Sequence, residues 1–210
     1  MVQVKTSYLV PVVVIKALPD YDSLLTLIVG TELMALLPKR YANRVYKVGE
    51  STVASVYAME GGRIILSQRS SQYFRKLLEL VLFPLLQEGR IEVRRAATIA
   101  GARFAKVAIK SLRDREDPIW ISIPYMRDLK RYTDDTVTLV EYSADLREYV
   151  VNSLSPAPRE GVKKVIHFQT LEEVLVRVEP SYLGIFLGKG GLNVALSSKL
   201  VGVKIKIDTI

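Results

Sequence analysis

Near its C-terminus the chain reads Gly188-Lys189-Gly190-Gly191, a four-residue Gly-X-X-Gly loop set between two apolar segments. Glycine admits positive φ and puts no Cβ in the way of a second chain lying against the backbone. The N–H groups that open the following segment, if it is helical, lack partners and carry partial positive charge. Lys189 adds a mobile cation at the tip. The chemistry on offer is non-covalent: a run of phosphates and sugars held with little reading of the bases. Ile185 and Leu187 would wall such a site, Asn193 would hydrogen-bond to the bound strand, and Lys204 and Lys206 would supply electrostatics. Weaker candidates are Arg94, Arg95, Arg103 and Lys106, which make an earlier pair of strands basic. Taken alone, the loop also fits a tight helix–helix turn.

Groups suited to covalent or metal chemistry are sparse. There is no cysteine, which excludes disulfides, thiolate metal sites and cysteine nucleophiles. His167 is the sole histidine and lies in an apolar-flanked strand, so histidine-pair metal sites and most catalytic triads are excluded. Asp134-Asp135 and Glu172-Glu173 read as solvated turn carboxylates, and Trp120 reads as core. The stretch 184–190 lacks the Lys-Ser/Thr ending of a P-loop. No catalytic residue, metal or cofactor is expected, and the chain is not expected to be an enzyme.

The elements around the loop give it a frame. Glu173 to Val178 reads as a strand and Pro180 to Leu187 as a short helix. Leu192, Ala195, Leu196 and Leu200 recur at helical spacing, Gly202 can stop that helix, and Val203 to Ile207 alternates like a half-buried strand. Strand, helix, glycine loop, helix, strand is the frame of a KH domain, with Lys163 to Phe168 forming a hairpin ahead of it. A similar order occurs earlier: a helix capped by Ser70, strands at 90–97 and 103–109, a helix opened by Asp117-Pro118, and a strand at 136–142. A further helix is predicted over Ser143 to Leu154. The correspondence suggests a duplication. In place of the glycine loop the first copy has Pro124-Tyr125-Met126-Arg127, where side chains block close backbone approach.

Residues 8–67 read as five short strands, which suggests a small closed barrel of OB type. Tyr41, Tyr46 and Tyr57 either stack bases there or seal the barrel edge. The expected fold is therefore multidomain: an all-β OB-type barrel (1–69), then two α+β KH (type II) domains (70–152 and 153–210), the first with a degenerate loop.

The totals agree with a globular, polyanion-binding chain. Of 210 residues 49% are hydrophobic, and the net charge is +8. The excess is +1 over residues 1–60, +4 over 61–160 and +3 over 161–210, so a nucleic-acid face belongs in the last two thirds. No signal peptide or membrane-length apolar run is apparent. A cytoplasmic protein that binds single-stranded RNA, with no membrane partner, is expected.

Several stretches, in order, resemble the bacterial NusA family of transcription elongation and termination factors. They are Ala35-Leu36-Leu37-Pro38, Arg63-Ile64-Ile65-Leu66-Ser67, the Phe74-to-Leu80 helix, and Ala96 to Lys110 with Gly101-Ala102-Arg103. Asp117-Pro118, Glu148 to Pro156, Leu187 to Val194, and Leu200-Val201-Gly202 complete the set. The resemblance implies an S-one-type OB barrel followed by two KH domains that bind nascent RNA. It also implies RNA polymerase and transcription-complex proteins as partners, with effects on pausing, termination and antitermination. The family's polymerase-docking N-terminal domain has no counterpart ahead of Met1, which leaves that contact open. The alternatives are a protein-interaction scaffold, or an RNA-handling accessory in ribosome assembly or RNA decay.

Overall fold

The computed structural model describes residues 5–210. Its contacts divide into two compact units, one of residues up to Phe83 together with Pro124–Asp135, the other of Pro84–Ile123 and Thr136–Ile210.

In the first unit, strands β1 (Leu9–Leu18), β2 (Ser23–Ile28), β3 (Met34–Pro38), β4 (Ser51–Glu60) and β5 (Arg63–Ser67) close into a barrel in the order β1-β2-β3-β5-β4. The expected closed barrel is thus present, with β3 and β5 parallel and the other pairs antiparallel. Alternation sends Val10, Val12, Val14, Leu24, Ile28, Ala35, Leu37, Ala54, Val56, Ile64 and Leu66 into one core. Register shifts between Val14 and Lys16 and between Val56 and Ala58 bend the long strands enough to close the ring.

Below the barrel core lies a polar knot. Gln68 is fully buried, its Nε2 within hydrogen-bond distance of Tyr46 Oη, Thr52 Oγ1 and Val53 O, while its Oε1 accepts from Asn43 N. Asn43 Nδ2 and Tyr73 Oη both donate to Tyr132 O, which ties in the 124–135 segment. Tyr46 is therefore structural, 6% exposed, whereas Tyr57 is an exposed ring packed on Tyr41. Helix α1 (Ser71–Val81) buries Tyr73, Phe74, Leu77, Leu78 and Val81, and Ser70 Oγ accepts from Tyr73 N at 3.0 Å to cap it. Pro84 lies in the first turn of a short second helix, α2 (Phe83–Gln87).

The second unit contains two sheets of like topology. Strands β6 (Ile91–Thr98) and β7 (Phe104–Ser111) form an antiparallel hairpin, and β8 (Thr136–Glu141) returns parallel beside β7. Strands β9 (Val162–Phe168) and β10 (Glu173–Val178) repeat the hairpin, with β11 (Lys204–Thr209) parallel to β10. Helix α3 (Pro118–Ser122) is capped by Asp117, and α4 (Leu146–Ser153) by Asp145. Helices α5 (Leu183–Leu187) and α6 (Leu192–Val201) flank the glycine loop.

The helix expected from Ser143 begins three residues later because Asp145 takes the cap, while the Ser143 hydroxyl donates to Glu148 Oε2. The expected boundary between 152 and 153 falls inside α4. Pro124-Tyr125-Met126-Arg127 is not a loop; it lies within a nine-residue 3-10 stretch, Ile123–Arg131, anchored by buried Leu129.

Two cores meet at α4 and α6. Val150, Leu154, Val174, Val176, Val178, Phe186 and Ile205 form one, and Ala97, Ala108, Val140, Tyr149, Leu196 and Leu200 form the other. Both helices thus serve both sheets. For the barrel-bearing unit, Ser70→Ala is expected to cost about 1 kcal/mol, read as a lower urea midpoint, whereas Ser70→Asp keeps the cap and most of the stability.

Candidate nucleic-acid interface

Phe186, buried in the second-sheet core, pins α5 and sets where its last residue gives way to the loop. Gly188 then adopts φ 72 and ψ 170, a conformation that side chains do not tolerate. A Cβ there would lie 2.7 Å from Asn193 Cβ and 2.9 Å from Asn193 N, so this glycine answers to internal packing. Gly190 and Gly191 differ: both have positive φ, yet nothing lies within 4 Å of a Cβ built on either. Their surface is bare. Lys189, just ahead of them, is exposed, and α6 begins with no side-chain cap on its N-terminal N–H groups. Ile185 is 49% exposed beside them and Leu187 is half-buried. An apolar wall, bare backbone and one free-standing ammonium can take a sugar–phosphate strand.

The other expected contacts sort differently. Lys204 and Lys206 are exposed on β11, but both pair with Glu173, at 3.6 and 2.7 Å, across the parallel register that sets Glu173 opposite Lys204. The Lys206 hydrogen bond, with the charges of both lysines, holds the Glu173 carboxyl below the usual range. Their positive field is shared with that carboxylate, and Glu173 is buried rather than solvated. Asp135, also expected in solvent, is buried too.

Asn193 does not face the loop's outer surface. Its Nδ2 donates to Leu154 O at 2.9 Å and Phe186 O at 3.0 Å, and its Oδ1 accepts from Lys106 Nζ at 2.5 Å. Lys106 is 3% exposed, and its ammonium also donates to Ser153 O, Ser155 O and Ser197 Oγ. Both were expected to meet RNA directly; Lys106 instead turns inward because both faces of β7 are buried, and the half-buried Asn193 spends its amide on Lys106 and two main-chain carbonyls. The continuous apolar setting Ala105-Lys106-Val107-Ala108-Ile109 is the sequence signal for this burial.

Arg94, Arg95 and Arg103 are exposed. Arg94 Nη1 pairs with both Glu92 oxygens at 2.9 and 3.0 Å, and its guanidinium lies 4.9 Å over the Tyr142 ring. Arg95 Nη1 donates to Val201 O at 3.3 Å. With Tyr142, Tyr149 and Val201 the two arginines line an open hollow of about 400 Å³. Trp120, expected in the core, is 72% exposed. The five-residue α3 buries Pro118 and Ser122, one turn apart, and so turns Trp120 to the opposite side. No helix among the described residues is long and apolar enough to cross a membrane.

The described residues thus combine a closed five-stranded barrel with two α+β sheets, the second bearing a bare glycine loop, an arrangement consistent with an OB barrel plus KH units. Residues 146–210 match the NusA-like second KH domain, a span that begins with α4. Most of the chain is similar to transcription termination/antitermination protein NusA. Identity is 28% over 185 residues to that of Borreliella burgdorferi, covering 83% of this chain and 38% of the relative. It is 30% over 155 residues to that of Rickettsia prowazekii, covering 71% and 30%. For Halalkalibacterium halodurans it is 28% over 192 residues, covering 83% and 47%. The NusA resemblance carried by the motifs is thus shown, and the chain spans less than half the length of these three relatives.

Two outcomes follow from the geometry. Gly188→Ala is expected to lower stability by about 2–3 kcal/mol in chemical denaturation, through backbone strain and the clash with Asn193. Burial pushes the Lys106 ammonium down from 10.5 to about 7. The folded pKa lies below the unfolded one, so in that window the unfolded chain binds more protons and stability rises with pH, by at most about 1.4 kcal/mol per unit. Urea midpoints of Lys106→Met against the native chain, compared from about pH 7 to about pH 9, are expected to show that rise lost.

Proposed function

We propose that this chain is an RNA-binding transcription factor of the NusA type. Single-stranded nascent RNA lies along Gly188–Gly191, with Lys189 at a phosphate and Ile185 and Leu187 against sugar and base. The observation that carries this reading is the unobstructed surface of Gly190 and Gly191 beside an exposed lysine and an exposed isoleucine. The β6–β7–β8 sheet with its helices is taken as a first KH domain of the same type II build, without a clamp of its own. Arg94, Arg95 and Arg103 extend the positive surface. RNA polymerase is taken as the partner through which pausing, termination and antitermination are modulated; of these, termination and antitermination are what the relatives' names carry.

A second reading, a protein-docking scaffold, draws on the exposed Trp120 and Ile123 of the clamp-less domain. Co-purification of polymerase that survives both nuclease and high salt, and is lost in Trp120→Ala, favours it.

The direct test is Lys189→Asp combined with Gly190→Asp. Aspartate tolerates the left-handed conformation at 190, so the loop can keep its shape while two carboxylates face the strand. Fluorescence anisotropy with a short single-stranded RNA is expected to show affinity falling by at least about tenfold. For the native chain, log K should fall against log salt with slope about −2, as for about three neutralised phosphates. Equal affinity of variant and native chain overturns the clamp.

A further inference from the structure

The buried ammonium of Lys106 does more than close a gap. It comes from β7 in the first sheet, and the oxygens it meets belong to the end of α4, the following turn and α6. One of those acceptors, Asn193 Oδ1, connects it to the glycine loop. The amide's orientation is fixed by chemistry: an ammonium only donates and carbonyls only accept, so Oδ1 must face Lys106 and Nδ2 must face Leu154 O and Phe186 O. Phe186 is two residues ahead of Gly188, and Gly188 packs directly on Asn193 Cβ and N. A single side chain therefore holds the entry to the loop from one side and carries Lys106 on the other.

We propose that Lys106 is a positioning residue, through which the first sheet fixes the shape of the glycine loop of the second by way of Asn193. The role rests on the reading of that loop as the RNA clamp. It gives the clamp-less domain a task in binding that needs no contact of its own with the strand. With Lys106 absent, Asn193 Oδ1 is an acceptor with no donor, its amide loses the reason for its orientation, and the Phe186 carbonyl loses a fixed partner. Lys199 supplies a built-in comparison. Its Nζ donates to Thr98 O at 2.6 Å, so it too joins α6 to the first sheet, but it has no connection to the loop.

The test measures amide hydrogen exchange over 188–192 in the full chain without RNA, for Lys106→Met, Asn193→Ala and Lys199→Met. The first two are expected to speed loop exchange by about tenfold while β9 and β10 keep their protection, and Lys199→Met is expected to leave the loop as in the native chain. Loop exchange in Lys106→Met and Asn193→Ala no faster than in Lys199→Met overturns the proposal. Should Lys106→Met fail to fold by circular dichroism, Asn193→Ala, which keeps the Cβ under Gly188, decides by the same criterion. Binding of a short oligouridine separates the two layers of the argument. Positioning predicts weaker binding in both variants, whereas oligouridine affinity that survives Lys189→Asp with Gly190→Asp removes the clamp reading and leaves the exchange result to judge positioning alone.

Discussion

A lysine ammonium shut away from water is costly unless oxygens surround it, and Lys106 has four within hydrogen-bond distance and no carboxylate among them. Its three protons cannot satisfy four acceptors at once, so the position of each acceptor matters. Two are main-chain carbonyls just where α4 ends, and two are side chains one turn apart on α6. Helix end and helix face are thereby held to the middle strand of the first sheet. Buried polar groups of this kind specify one arrangement among several that apolar packing would accept.

The packing around that group explains why α6 has little polar surface. Leu196 and Leu200 enter the core shared with Ala97, Ala108, Val140 and Tyr149, while Val194 and Val201 lie against the second-sheet core. A helix apolar on two sides belongs between layers. Its N-terminus, where the glycine loop delivers the chain, is therefore set by both sheets. The loop's openness at Gly190 and Gly191 and its rigidity at Gly188 are two consequences of the same placement.

Much of the fold was legible in local pattern. Short runs between turns marked all five barrel strands, Ser70 and Asp117 marked helix starts, and the spacing of Leu192, Leu196 and Leu200 with Gly202 bounded α6. What local pattern missed was decided by tertiary surroundings. Lys106 and Asn193 are polar residue types that usually face water, and only tertiary contacts bury Lys106 and engage the Asn193 amide. Trp120 went the other way, because a helix of one turn has a buried face too narrow to include it. Glu173 reads as a turn carboxylate until the parallel return of β11 brings Lys204 and Lys206 beside it.

The two sheets of the second unit also show how one topology can carry two kinds of connection. Each has a hairpin followed by a parallel return strand, yet the connection between second and third strands differs in what it spends its residues on. In the later copy it makes two helices around bare glycines. In the earlier copy Pro124 removes a backbone donor, and the segment winds into a 3-10 stretch whose Leu129 is buried. Leu129 is the one buried residue of that stretch, and with no glycine in it every residue sets a side chain beside its backbone. The earlier copy is left with what its strands present: an inward lysine bonded to Asn193, and outward arginines already engaged with Glu92, Tyr142 and the end of α6. The first sheet is then the surface against which α6, the helix that follows the glycine loop, is seated, and its buried lysine is what reaches that helix.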